Sequence, residues 1–70
     1  MSNNYQVTVN GEQRSFPAET TLQELVLALN LAPERVAIEL NRTIVKRERW
    51  TSTTIDSGAE IEIVQFVGGG

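Results

Sequence analysis

Seventy residues with six Lys and Arg against nine Asp and Glu carry a net charge of 6 − 9 = −3, which fits one small domain and not the basic surface of a nucleic-acid binder. The chain has no Cys and no His, which excludes disulfides, thiolate metal sites, a cysteine nucleophile and a histidine general base. Its 40% hydrophobic residues suffice for one thin core with a net stability of about 3–5 kcal/mol.

Tyr5, Val7 and Val9 alternate with Gln6, Thr8 and Asn10, the period of a half-buried strand. Asn10-Gly11 follows, and both residues tolerate positive φ, so a tight hairpin is predicted. Glu12 to Phe16 is the return strand, polar enough for a sheet edge, and Pro17 stops it. From Thr21 to Asn30 the period changes. Leu22, Leu25, Val26 and Leu29 form the stripe of an amphipathic helix. Thr21 with Glu24 spells a capping box, and Thr20 with Gln23 is an equally legal alternative. Asn30 suits a left-handed helix end, and Pro33 prevents continuation.

Val36, Ile38 and Leu40 alternate with Ala37, Glu39 and Asn41 in a third strand. Asn41-Arg42-Thr43 reads as a turn into a short strand at Ile44-Val45, and Thr51 to Thr54 as a polar loop. Asp56-Ser57-Gly58 is a tight turn. Ile61 and Ile63 then alternate with Glu60 and Glu62, and Val64-Gln65-Phe66-Val67 extends the last strand into Gly68-Gly69-Gly70. This order predicts an α+β fold: a mixed sheet of four to five strands with one main helix across one face. The last strand lies parallel beside the first, as in the β-grasp arrangement of ubiquitin. Residues 1–67 form the domain and 68–70 a flexible tail.

Three features could carry function. A glycine tail is narrow and conformationally free; it reads either as a frayed end or as a spacer that threads a tunnel and presents a bare carboxylate. Strict alternation from Ile61 and Ile63 places Val64 and Phe66 on the opposite face, where they form a docking patch; a bulge after Ile63 would instead return Phe66 to the core. Arg42, Lys46, Arg47 and Arg49 form a basic cluster, either a dock for an acidic partner or a solvated loop. Trp50 reads as a lid on the end of the core.

The run Val36-Ala37-Ile38-Glu39-Leu40-Asn41, followed by Ile44-Val45, Arg47 and Trp50, is similar to a stretch of the ThiS sulfur-carrier family of thiamin biosynthesis. Asp56, Gly58, Ile61 and Ile63 and the closing Phe66-Val67-Gly68-Gly69-Gly70 match as well. Lys46 departs from the pattern, where Pro is expected before the Arg. The resemblance implies a carrier and not an enzyme: no catalytic residue, metal or cofactor of its own. It implies that a ThiF-like adenylating enzyme uses ATP to activate the Gly70 carboxylate. A cysteine desulfurase or other persulfide donor then supplies sulfur, giving a thiocarboxylate that serves thiazole synthase. Gly68 and Gly69 become the tail spacer; the partner interface, Val64 and Phe66 with Val67 beside them, is inferred from strand alternation more than from the resemblance. Met1-Ser2-Asn3-Asn4 lacks the regions of a signal peptide, and no apolar run nears the roughly 20 residues that cross a bilayer. The expectation is a soluble, cytoplasmic protein with no membrane or nucleic-acid partner.

Related carriers share the fold and the Gly-Gly end: the small subunit of molybdopterin synthase and carriers for tRNA thiolation. A covalent modifier of the ubiquitin kind would use the same tail for isopeptide bonds. A non-covalent β-grasp interaction module would bind through Arg42 to Arg49 and leave the tail dispensable.

Overall fold

The computed structural model describes residues 3–66. Strand β1 (Asn4–Val9) turns through Asn10 and Gly11 into β2 (Glu12–Pro17). The turn residues have φ of 51° and 83°, the left-handed pair that a two-residue hairpin requires. The strands pair antiparallel from Val9–Glu12 to Asn4–Pro17. Pro17 therefore closes the β2 ladder from inside, as its last member.

Helix α1 spans Leu22–Ala28, shorter at both ends than the stretch from Thr21 to Asn30. Thr21 is its cap. The Thr21 hydroxyl accepts from the Glu24 amide at 3.1 Å, and the Glu24 carboxylate accepts from the Thr21 amide at 2.9 Å. The Thr20 alternative is not used; the Thr20 hydroxyl instead donates to the Pro17 carbonyl at 2.6 Å. The helix ends at Leu29, and Asn30 takes φ 61°. Leu22, Leu25 and Val26 are fully buried, so three side chains fasten the helix to the sheet.

Pro33 starts a short 3-10 helix, Pro33–Arg35, rather than only ending α1. Strand β3 (Val36–Leu40) turns through Asn41 and Arg42 (φ 51° and 70°) into β4 (Thr43–Val45). The expected loop at Thr51 to Thr54 is in part a second 3-10 helix, Arg47–Ser52. Only Trp50 is buried there, so the segment shows no apolar period. The Trp50 indole is 1% exposed and donates to the Val45 carbonyl at 2.8 Å; the lid lies inside the core. The chain is then tied to the start of α1: Leu22 donates to the Thr53 carbonyl and Ile55 to that of Thr20, both at 2.9 Å.

Strand β5 (Glu60–Gln65) enters the middle of a five-stranded sheet ordered β2-β1-β5-β3-β4. It runs parallel to β1 and antiparallel to β3. This is the β-grasp arrangement. Val7, Val9, Ile38, Ile61 and Ile63 form the sheet side of the core against α1, Ile55 and Trp50.

Candidate functional site

The register of β3 with β5 decides which face each side chain takes, because directly opposed residues share a face. Ile38 opposes Ile63 and Leu40 opposes Ile61 on the core side. Ala37 opposes Val64 and Glu39 opposes Glu62 on the face that the helix leaves open. The pairing runs from Ile61 to Gln65 without a skipped residue, so no bulge returns Phe66 to the core. Val64 is 59% and Phe66 56% exposed. The alternation is therefore as expected.

Ile44 joins them. From β4 it opposes Glu39 of β3, so it lies on the same face, and at 70% it is the most exposed large apolar residue among those described. Sequence reasoning identified its strand but not this role. The signal was present: a two-residue turn after Leu40 fixes the register of β4, and that register sends Val45 inward and Ile44 outward. Ala37, Ile44, Lys46, Arg47 and Phe66 line one shallow depression of about 270 Å³. Glu34 and Glu48 line it as well, so an apolar floor with charges of both signs at its rim lies where β5 ends.

The other end of the same face is acidic. Glu39 and Glu62 are direct cross-strand partners, and Glu60 follows on the same face. With Thr8 and Arg42 they line a second depression of about 260 Å³. The basic cluster is consequently divided. Arg42 sits at the β3–β4 turn beside these carboxylates, whereas Lys46 and Arg47 flank Phe66. All four cations are exposed. Among the described residues the ion pair within 4 Å is Glu12 with Arg14, at 3.5 Å.

Lys46, the departure from the family pattern, has φ −65°. That is the angle a proline ring imposes, so the turn keeps its geometry without the Pro. Val67, Gly68, Gly69 and Gly70 lie outside the described residues. Among the described residues no three His, Cys, Asp or Glu could hold a metal ion, and no helix is long and apolar enough to cross a membrane.

The sequence profile of the ThiS family matches residues 7–70. A thiazole synthase of Magnetococcus marinus is 39% identical over 64 residues, covering 91% of this chain and 20% of that protein. The chain thus spans about a fifth of the length of this relative. The sulfur carrier protein ThiS of Bacillus subtilis is 35% identical over 63 residues, covering 89% of this chain and 96% of that one. The crystal structure of the thiamine biosynthesis protein ThiS from Geobacter metallireducens superposes with a TM-score of 0.80 at 35% identity. It covers 93% of this chain and 99% of that one.

Proposed function

The chain belongs to the ThiS family, and from that premise we propose that it carries sulfur for thiamin biosynthesis as a thiocarboxylate on Gly70. The observation that carries this reading is the extent of the match, which continues through the glycines to residue 70. The chemistry is supplied by partners. A carboxylate is a poor electrophile. A ThiF-like adenylating enzyme with ATP converts that of Gly70 to an acyl adenylate and releases pyrophosphate. The terminal sulfur of a persulfide donor, such as a cysteine desulfurase, attacks the acyl carbon, and AMP leaves. A thiol then cleaves the S–S bond and leaves the thiocarboxylate. Gly68 and Gly69 are the spacer, since a side chain in a narrow channel would keep the acyl carbon from near-attack distance.

The chain itself acts as substrate and handle. Val64 and Phe66, with Val67 beyond the described residues, form the surface by which partners hold it. Thiazole synthase is the acceptor. The Magnetococcus protein of that name contains a segment like this chain in a fifth of its length, which supports a working association of the two functions. The cytoplasm is the proposed compartment.

The test is reconstitution with adenylating enzyme, ATP and a persulfide donor, read by intact mass. The expected product has one oxygen replaced by sulfur at the terminus. One alanine added after Gly70 should block the gain while leaving the fold and partner binding in place. A parent chain ending at Gly70 that accepts neither AMP nor sulfur would refute the reading.

A further inference from the structure

Asn10 makes two bonds that its position in a hairpin turn does not require. Its side-chain Oδ1 accepts from the Ile63 amide at 2.7 Å, and its Nδ2 donates to the Ile63 carbonyl at 3.1 Å. The two residues are 53 apart in sequence. The geometry answers a shortage of partners on one side of β5. The parallel pairing of β1 with β5 ends at Val9–Ile61; the Asn10 amide adds one more bond, to the Ile61 carbonyl at 2.9 Å. There β1 turns away into the hairpin. Along β5 the odd-numbered residues point their backbone groups toward β1, as the bonds at Ala59, Ile61 and Ile63 show. The even-numbered ones point toward β3, where the Phe66 amide donates to the Arg35 carbonyl at 2.7 Å. Without Asn10, β5 beyond Ile61 would be held from the β3 side alone. A primary amide sets an N–H donor beside an acceptor oxygen in one plane, the pair a strand residue offers. The Asn10 side chain thus continues the β1 ladder after β1 itself has ended.

We infer that Asn10 is a positioning residue for sulfur loading: by holding Ile63 from the β1 side, it sets the direction in which β5 leaves the sheet and presents the tail. This inference rests on the carrier function proposed above. Asn10 touches no reacting atom. It acts through β5, on whose far half Val64 and Phe66 sit. The β3 ladder and the Arg35 bond hold this half of β5 from one side and Asn10 holds it from the other, so loss of Asn10 frees the strand end, and the chain beyond it, to swing about the β3 seam.

Two substitutions separate the turn from the clamp. Asn10→Gly keeps the positive φ and removes both side-chain bonds. Asn10→Asp also tolerates the turn, keeps the acceptor for the Ile63 amide and sets a carboxylate against the Ile63 carbonyl. The readouts are amide hydrogen exchange of the full chain, and steady-state adenylation by the partner enzyme well below the thermal midpoint of each variant. For Asn10→Gly, exchange at Ile63 should accelerate while β2–β1 amides stay protected. The kcat for adenylation should fall about tenfold, less than the roughly 10²-fold of a full 1 Å misplacement, with a smaller rise in KM for the carrier. Asn10→Asp should fall between Gly and the parent in both readouts. A Gly variant that is adenylated at the parental kcat overturns the positioning role, and so does unchanged exchange at Ile63. A parent that is not adenylated at all overturns the carrier reading, and this inference with it.

Discussion

Truncating Phe66 to alanine separates docking from packing. The residue is 56% exposed, so the share withdrawn from solvent is 100 − 56 = 44%. Complete burial of such a side chain contributes about 1.5–3 kcal/mol. Scaled by that share, Phe66→Ala should cost about 0.7–1.3 kcal/mol of stability. No closed cavity forms on an open face, so the additional term of a core truncation is absent. In a domain of this size, about 1 kcal/mol lowers the thermal midpoint by about 4–8 °C. An aromatic anchor at the centre of an interface contributes about 2 kcal/mol or more, which corresponds to binding weakened about 30-fold. Urea unfolding followed by fluorescence of the buried Trp50 measures the first quantity, and calorimetric titration with the adenylating enzyme measures the second. A stability loss of about 3–5 kcal/mol, the range for a core Phe, with an unchanged dissociation constant would refute both the face assignment and the docking role.

Two further substitutions test the scaffold. Leu25 is 0% exposed, and Leu25→Ala should remove about 2–5 kcal/mol, most or all of the stability available, seen as a urea midpoint near zero. Lys46→Pro should stabilise the fold by about 0.4–1 kcal/mol through the unfolded chain. Its φ is already −65°, Val45 before it is extended, and the β3–β4 register turns the Lys46 amide away from β3. A lower thermal midpoint for Lys46→Pro would show that this amide has a partner that matters.

The strands and their faces were legible because the sheet has one buried side. Burial on one side enforces period two, and period two at Ile61 and Ile63 dictates where Val64 and Phe66 point. The hairpin turns were legible because few residues accept positive φ, and Asn10, Gly11 and Asn41 are among them; Arg42, at φ 70°, takes such an angle without that preference. The helix cap offered two legal registers, and local spacing does not choose between them: Thr21 caps, while the Thr20 hydroxyl donates to the Pro17 carbonyl. The 3-10 helix at Arg47–Ser52 left no pattern, since a single buried Trp50 defines no period. The clamp from Asn10 to Ile63 could not be read locally at all. A turn explains Asn10 fully at the level of its neighbours, and its second task depends on a strand 53 residues away. The patch lost Ile44 for a similar reason: a three-residue strand is too short to display alternation by itself.

The parallel neighbours β1 and β5 also determine how the molecule responds to force. They are the first and last strands of the described chain, and they run the same way. A pull on the tail along β5, resisted at the start of β1, therefore acts along the two strands and across their bonds. Thr8 to Ala59 and Asn10 to Ile61, each 2.9 Å long, lie across that line together with the Asn10 amide on Ile63. Bonds loaded in this way share the tension and fail together, whereas a hairpin pulled open from its ends peels one bond at a time. A pull on any extended segment beyond β5 would thus load the β1–β5 seam in shear, not by peeling.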